Sequence, residues 1–374
     1  MQSSYGRTCI SQRSAMPLRL TRRNQHPGVG AHIQDQALTP SPPTILTFTL
    51  PAISDETVDC TVTASVDATH FTVVAHGEVP PIWGVGVWTA VGETHVHTTV
   101  LSGAIELDAY GYGPGGVSVA PVSASTEVFH WPYYLDNCYG CWPVAPYGTV
   151  STTGDPPRVT QLADTQPAES YPVGKTAAYP LTPADAGFRP YLVDGWLHCD
   201  SPSLLGVSSD AAELLAMLSG DDTSISALVV QKINGANYAA AGLVANITDW
   251  QGGTPKILCA ANVTGPVLSR YDSVGGGATL YGTNTDVTVW HVAIYVFDGA
   301  AKTLSCYTNQ GTAMAPTVLD VAELALTRLH FFVDNSDAAE LSLWQGVLTP
   351  AQIVDQIESA SIRWSPYTGD IPLS

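Results

Sequence analysis

Two runs of residues near the carboxy terminus, 290–297 and 304–307, are rich in β-branched and aromatic side chains, and apolar and polar positions alternate along them. Asp298-Gly299 separates the two runs. Such runs around a turn that carries glycine after aspartate are typical of an antiparallel hairpin with one buried face. Asn309-Gln310-Gly311 supplies a further turn signal after the second run.

The same pattern recurs in residues 329–333 and 339–344, on either side of a polar turn at residues 334–337. Thr349-Pro350 then matches a helix N-cap followed by proline at the first helical position. These features predict two more strands and a short helix whose apolar face is formed by Ile353, Val354 and Ile357.

The first third of the chain shows about one strand pattern per 10 to 12 residues, with proline, glycine and aspartate between them. This spacing predicts a small β-sandwich at residues 42–127. Residues 105–125, IELDAYGYGPGGVSVAPVSAS, are similar to the last hairpin of a fibronectin type III or immunoglobulin-like domain.

The rest of the chain is predicted to form an arm, a connector, a second domain and a tail. Residues 1–41 lack periodicity and predict an extended arm. Residues 128–188 are rich in proline and aromatic residues and predict a connector that wraps on the second domain. The second domain is predicted at residues 189–365, with a short helix at 210–218 and strands near 224–232, 242–248, 257–262 and 278–281, and residues 366–374 form a tail.

The carboxy-terminal half resembles a laminin G-like or concanavalin A-like jelly roll. The residues that carry the resemblance are Trp290-His291, the segment 307–311 (YTNQG), 339–344 (AELSLW) and 348–353 (LTPAQI). Residues 188–207, FRPYLVDGWLHCDSPSLLGV, are similar to the first strands of phage and bacterial laminin G-like domains. The predicted fold is therefore all-β: an extended arm, an immunoglobulin- or fibronectin III-like sandwich, then a laminin G-like jelly roll. The fold alone does not choose between lectins, glycanases and spacers.

Composition narrows the class of protein. Of 374 residues 45% are hydrophobic and only 13% charged, which excludes a disordered chain. The formal net charge of −19 argues against nucleic acid or an anionic membrane as the partner of the body. Seven scattered cysteines do not form a disulfide framework, and no apolar segment predicts a signal peptide or a membrane span. The arm is basic and is either a disordered tail or a segment that becomes ordered on an acidic partner surface, with candidate contacts at Arg7, Arg13, Arg19, Arg22 and Arg23.

Candidate chemistry in the sequence is sparse. A concanavalin-like glycanase needs paired carboxylates across a cleft, but Glu106-Leu107-Asp108 lacks the second glutamate of that pattern and predicts a pair on the exposed face of a strand. Cys138-Tyr139-Gly140-Cys141 has the spacing of two zinc ligands, but a complete site would also need histidines to converge on it. A disulfide, or two free thiols in a turn, is therefore favoured over zinc. No cofactor is predicted, although calcium would find its weak candidate ligands in Asp221, Asp222, Asp334 and Asp337.

Aromatic side chains are the remaining candidates, since they stack on sugars or anchor protein interfaces. Trp250 and Tyr271, in loops of the jelly roll, are predicted to face a glycan. The connector aromatics Trp131, Tyr133 and Trp142 either belong to a binding surface or plug the junction between the domains, and the second interpretation is favoured.

Taken together, the resemblance and the composition predict a bacteriophage virion protein that is assembled in the host cytoplasm. It would be a tail, head-fibre or capsid-decoration component, anchored by its amino-terminal region to other virion proteins and forming a homo-oligomer. An outward lectin-like domain would hold host-surface glycan. The alternatives are a glycan-degrading enzyme and a spacer without a ligand.

Overall fold

The computed structural model describes residues 40–82, 86–99, 102–183, 189–199, 203–207, 216, 223–234, 240–245, 257–262, 265–271, 277–281, 285–318, 329–369 and 371. Residues 41–374 form one compact unit. Residues 1–39 of the predicted arm, with all five of its arginines, lie outside the described residues. No helix in the described part of the chain is long and apolar enough to cross a membrane.

The amino-terminal sandwich contains two sheets. One has the strand order β1-β3-β6, and the other has the order β2-β9-β7-β4-β5, with β8 paired to β7. The strands are β1 (Ile45–Thr49), β2 (Ile53–Ser54), β3 (Thr57–Ala64), β4 (His70–Ala75), β5 (Thr89–Ala90), β6 (Thr94–Thr98), β7 (Gly103–Gly113), β8 (Gly116–Val117) and β9 (Val122–Val128).

Period-two alternation places the core of this sandwich. In β3 every second side chain is buried, and Val58, Cys60 and Val62 have no exposed surface. They pack with Phe71 of β4 and Leu107 of β7 across the two sheets. The small β-sandwich predicted for this part of the chain is confirmed.

The carboxy-terminal sandwich contains the remaining seventeen of the strands that the structure describes. They are β10 (Cys138–Pro143), β11 (Val150–Thr153), β12 (Arg158–Leu162), β13 (Leu181–Pro183), β14 (Tyr191–Val193), β15 (Trp196–Cys199), β16 (Ser203–Val207), β17 (Ile225–Ile233), β18 (Ala240–Ala245), β19 (Ile257–Asn262), β20 (Gly265–Tyr271), β21 (Gly277–Tyr281), β22 (His291–Asp298), β23 (Thr303–Thr308), β24 (Gly311–Val318), β25 (Leu329–Asp334) and β26 (Ser336–Gln345).

Strand pairing arranges these strands in two runs. The front sheet runs β24-β23-β22-β17-β26-β15-β14-β12-β11, and β10 pairs with the carboxy-terminal half of β26 beside β15. The back sheet runs β13-β16-β25-β18-β19-β20-β21. The pairing of Leu162 with Leu181 joins them. Asn335, with a positive φ of 43°, carries the chain from the back sheet into the front sheet.

The centre of the front sheet is covered on both faces, so burial along its strands is continuous rather than alternating. In its three central strands all residues are buried except Lys232 of β17, Asp298 of β22, and Asp337 and Gln345 of β26. Helix α1 (Pro350–Thr368) lies against this sheet, contacting β22. Thr349 caps it: the Thr349 hydroxyl accepts from the Gln352 amide, and the Gln352 side chain accepts from the Thr349 amide. The predicted helix is confirmed, although it continues through Pro366 into the predicted tail.

The connector predicted at residues 128–188 is corrected by the structure. Its residues form β10 to β13, and β10 pairs with β26, about 200 residues later in the chain. Every residue of β10 is buried, so the segment has no alternation that would have marked it as a strand. Of the helix predicted at 210–218 the structure describes only Ala216, which is helical.

A buried ion pair fixes the loop between β12 and β13. Lys175 Nζ lies 2.6 Å from Asp164 Oδ2, and neither side chain is exposed. The ammonium also donates to Gln166 Oε1 at 2.7 Å and to the Tyr139 carbonyl at 3.0 Å, while the Asp164 carboxylate accepts backbone amides, including that of Cys141. A buried ion pair persists only when its remaining polar atoms are satisfied in this way.

Helix α1 also holds the amino-terminal sandwich. Asp355 accepts hydrogen bonds from Ser102 Oγ at 2.7 Å and from His130 Nδ1 at 3.0 Å, and Ser359 Oγ accepts from the His130 amide at 2.9 Å. Arg363 Nη1 donates to the His130 carbonyl at 3.2 Å. One helix therefore contacts both sandwiches through polar side chains.

Candidate functional site

Several of the residues predicted as site residues cannot be placed. Trp250, Asp221 and Asp222 lie outside the described residues. Tyr271 ends β20 and Asp334 ends β25, but the structure does not describe their side chains. Glycan contact by Trp250 and Tyr271, and a calcium ion among these acids, stay predictions.

The connector aromatics pack inward. Trp142 has no exposed surface, and its indole N–H donates to the Tyr179 carbonyl at 2.7 Å. Trp142 is therefore a core residue, which corrects its assignment to a binding surface.

Trp131 and Tyr133 are half-buried and stack on each other with ring centroids 5.6 Å apart. The Arg363 guanidinium lies over the Trp131 ring at 4.7 Å and over Phe129 at 5.3 Å. These rings thus line the junction between helix α1 and the segment that enters from the amino-terminal sandwich. The interpretation that they plug this junction agrees with these contacts.

Arg363 is part of a buried charge network. Its guanidinium donates to both Glu340 carboxylate oxygens, with Nη2–Oε2 at 2.8 Å, and neither side chain is exposed. Trp364 Nε1 donates to Glu340 Oε2 at 2.7 Å, and Ser342 Oγ donates to Oε1 at 3.0 Å. Glu340 is occupied by hydrogen bonds within the fold.

Glu106 is exposed on β7 as predicted, but Asp108 is buried, which corrects half of that prediction. Asp108 accepts from Ser123 Oγ at 2.6 Å, the Gly77 amide at 2.9 Å and His76 Nδ1 at 3.0 Å. Burial alone would raise the pKa of Asp108, yet these hydrogen bonds outweigh it and hold the pKa below its usual value. Asp108 therefore anchors the His76 loop instead of facing a cleft.

Cys138 and Cys141 are free, buried thiols on strand β10 and not in a turn. Burial raises the pKa of Cys141 to about 12, so at neutral pH it is a thiol and a poor metal ligand. Within the described residues no three histidine, cysteine, aspartate or glutamate side chains come together as a metal site.

The front sheet carries a different constellation, which the sequence did not reveal. Strand register aligns one residue from each of five neighbouring strands: Arg158 of β12 with Tyr191 of β14, Tyr191 with His198 of β15, His198 with Asp337 of β26, and Asp337 with Lys232 of β17. Directly paired residues point to the same side of a sheet. We call these five residues the cross-strand row; all are partly exposed.

Neighbouring members of the row hold one another in place. Arg158 Nη2 donates to the Tyr191 hydroxyl at 2.6 Å, and the Arg158 guanidinium lies 4.5 Å from the centre of the Tyr191 ring. His198 Nδ1 lies 2.6 Å from Asp337 Oδ1. The side chains of Arg158, Tyr191, His198 and Asp337 are thus held in place before any ligand arrives, which lowers the entropy lost on binding.

Trp196 extends this face. It lies two residues before His198 on the same strand, and so on the same side of the sheet. Its ring packs against Trp290 at 4.6 Å and against Trp364 at the end of helix α1 at 5.8 Å, while part of its surface stays exposed. The cross-strand row therefore adjoins a partly exposed indole on a rigid support.

Arg189 borders the row at β14. It precedes Pro190, whose ring favours an extended backbone at the residue before it, and the Pro190 carbonyl accepts from Val159 of β12 at 2.9 Å. The Nε–H of Arg189 is buried and has no hydrogen-bond partner in the described part of the chain. An unmade bond of this kind costs about 1–3 kcal/mol, so an acceptor oxygen placed there would be stabilising.

One sequence signal could have located part of the row. Asp194 and Gly195 both have positive φ, 51° and 87°, and join β14 to β15 in a two-residue turn. An Asp-Gly pair between short apolar runs is a strong hairpin signal, and it sets Tyr191 opposite His198. Only Asp337 of the row was a predicted site residue, and then as a metal ligand.

No protein-family model matches the chain, and no curated protein matches it. Solved structures are similar at low identity. The carbohydrate-binding module CBM40 of the Ruminococcus gnavus IT-sialidase, bound to α2,3-sialyllactose, is 11% identical with a TM-score of 0.35, covering 44% of this chain and 95% of that one.

Trypanosoma rangeli sialidase in complex with sialic acid is 8% identical with a TM-score of 0.38, and the match covers 84% of this chain and about half, 53%, of the sialidase chain. The binding domain of Paraclostridial Mosquitocidal Protein 1 is 8% identical with a TM-score of 0.34, covering 61% of this chain and 52% of that one. At these values the likeness concerns the class of fold alone. By its own strand pairing this chain is an all-β protein built of β-sandwiches, with a jelly roll in its carboxy-terminal part.

Proposed function

We propose that this protein is a recognition protein that binds a saccharide on the front sheet of its carboxy-terminal sandwich without cleaving it. The observation that carries the proposal is the cross-strand row: a preformed line of hydrogen-bonding side chains beside a partly exposed indole. Sugars offer hydroxyl groups to polar side chains and C–H faces to aromatic rings, and this surface presents both partners.

Four carboxylates are held by hydrogen bonds within the protein, and this favours binding of a saccharide over its hydrolysis. A glycanase needs two acids free to act on one bond from opposite sides. Asp108 and Glu340 are buried in hydrogen-bond networks, and Asp337 is engaged by His198. Asp355 is held by Ser102 and His130 at the junction of the sandwiches. Each of these acids has a structural role that turnover would disturb.

Replacement of Tyr191 by Ala is expected to weaken saccharide binding about tenfold, because the ring and the position of Arg158 are lost together. The measurement is affinity on a glycan panel, with folding checked by circular dichroism. Tyr191→Phe keeps the ring and should retain most of the binding. Tyr134→Ala removes an exposed tyrosine outside the row and should leave affinity unchanged.

Two results would contradict the proposal. Release of reducing sugar ends from a bound polysaccharide would show an enzyme. Equal affinities for the Tyr191→Ala variant and the unaltered protein would place the saccharide elsewhere.

We further propose that the protein is a bacteriophage virion component whose basic arm docks on other virion proteins. The distribution of charge supports docking by the arm. Five of the 14 basic residues precede residue 24, while the whole chain has a net charge of −19. Such an arm would be attracted to an acidic partner surface, including that of a second copy.

Deletion of residues 1–40 is expected to abolish incorporation into particles while leaving saccharide binding intact. Residues 41–374 form a compact unit of their own, so the truncated protein should fold. Copy number in purified particles, measured by quantitative mass spectrometry, tests this. Unchanged incorporation would assign docking to the body, and an unfolded truncation product would show that the arm is part of the folding unit.

A further inference from the structure

Among the side chains that the structure describes, accessible positive charge is concentrated around the cross-strand row. The structure describes six basic side chains, and Lys175 and Arg363 are consumed in buried ion pairs with Asp164 and Glu340. Of the remaining four, Arg158 and Lys232 belong to the row, Arg189 borders it, and Lys302 lies in the turn between β22 and β23. On a chain with a net charge of −19 this clustering is unexpected for a merely solvated surface.

The row is long enough to contact several sugar rings. Arg158 and Lys232 stand on strands separated by three others. Neighbouring strands lie about 4.8 Å apart, which puts the two backbone positions roughly 19 Å from each other. An oligosaccharide spans this distance and a monosaccharide does not. The positive charges therefore stand at both ends of an extended ligand.

The donors around β12 and β14 suit an anionic group. A guanidinium presents several N–H donors in a plane and matches carboxylate or phosphate oxygens. Arg158 uses one Nη2 bond on Tyr191, and the buried Nε–H of Arg189 has no hydrogen-bond partner among the residues that the structure describes. At the other end Lys232 makes no ion pair with any acid that the structure describes, although Asp337 lies opposite it on the neighbouring strand.

We propose that the saccharide bound on this face is an acidic oligosaccharide, and that Arg158, Arg189 and Lys232 select it over neutral sugars. The inference rests on the saccharide-binding function proposed above and adds the chemical class of the ligand. Asp337 lies between the two ends of the row, and its carboxylate is engaged by His198 Nδ1 at 2.6 Å, so it is not a free acceptor at either end of the ligand.

The test is a panel of glycans in matched pairs, each acidic glycan beside the same glycan with its acidic group removed. Carboxylated, sulfated and phosphorylated members distinguish the source of the charge. The acidic member of at least one pair should bind about tenfold more tightly, and its affinity should fall as sodium chloride rises from 50 to 500 mM, because salt screens exposed charges.

Variants connect the preference to these residues. Lys232→Gln or Arg158→Gln should each reduce affinity for the acidic glycan about fivefold more than affinity for its neutral partner. Lys302→Gln is the matched control, since Lys302 is exposed in the turn that follows β22, at the Ile225 end of β17 and so at the opposite end of that strand from Lys232, and it should change neither affinity.

The possible failures are distinguishable. If neutral and acidic members bind equally well and Tyr191→Ala weakens both, saccharide binding stands and the acidic preference is overturned. If the variants lower affinity for neutral and acidic glycans alike, the basic residues are not selecting charge. If no glycan on the panel binds, both proposals fail.

Discussion

Replacement of Arg363 by Met is expected to lower the free energy of unfolding by about 3–5 kcal/mol. The variant leaves the Glu340 carboxylate buried without its cation, retaining only the Trp364 and Ser342 donors. Removing one member of a fully desolvated ion pair is costly because the other charge is left behind. Urea denaturation followed by tryptophan fluorescence measures the loss.

A double variant separates the cost of the unpaired Glu340 carboxylate from the cost of the packing lost with the Arg363 side chain. Glu340→Gln combined with Arg363→Met removes the charge but keeps an amide oxygen for Trp364 Nε1, so it should be more stable than Arg363→Met alone. Lys302→Met removes an exposed cation and should cost less than about 0.5 kcal/mol. If Arg363→Met were as mild as Lys302→Met, the pair would not be buried as described.

Arg363 also links the two sandwiches, so its loss should also weaken the junction between them. The guanidinium donates to the His130 carbonyl and covers the Trp131 ring, in the segment that leaves the amino-terminal sandwich. Further polar contacts at this junction run through Asp355 and Ser359 of the same helix. Several side chains of one helix therefore attach the first sandwich to the second.

The parts of the fold that the sequence predicts correctly have local signals. Alternating burial in β3 follows the alternating pattern of its residues, and the cap of helix α1 is present in Thr349-Pro350 with Gln352 at the third helical position. Such signals depend on neighbours within a few residues. They indicate that an element exists but not what it pairs with.

The parts that were missed depend on distant partners. Strand β10 has six consecutive buried residues, and its pairing with β26 supplies the environment that its own sequence does not show. The cross-strand row is an extreme case, because its five members come from five strands between residues 158 and 337. Only the strand register brings them together, and register follows from the whole sheet.

Acidification is expected to destabilise the protein through His291. Its side chain is fully buried at the start of β22, and burial lowers the pKa from 6.5 to about 4, despite opposing contributions from the Val289 carbonyl and Asp286. Its Nδ1 lies 3.2 Å from the Val289 carbonyl, and its Nε2 has no hydrogen-bond partner among the described residues. The surroundings thus accommodate the neutral ring and offer nothing to a second proton.

The sign follows from proton uptake. Between pH 6.5 and about 4 the unfolded chain binds a proton at His291 and the folded protein does not, so stability falls as the pH falls. The contribution is fully present above pH 6.5 and is lost progressively through about pH 4. A lowering of about 2.5 pKa units corresponds to about 3 kcal/mol.

His291→Asn removes the titration and keeps a side-chain N–H near the Val289 carbonyl. Urea denaturation at pH 7.5 and pH 4.0 should show that the unaltered protein loses about 3 kcal/mol more than the variant does, once carboxylates that titrate in both proteins are subtracted. His76→Asn provides a contrast of opposite sign: the hydrogen bond with Asp108 raises the pKa of exposed His76, so the stabilisation from His76 is present at low pH and fades as the pH rises. Identical pH profiles for His291→Asn and the unaltered protein would mean that water reaches the ring, and that the centre of the front sheet is not closed on both faces.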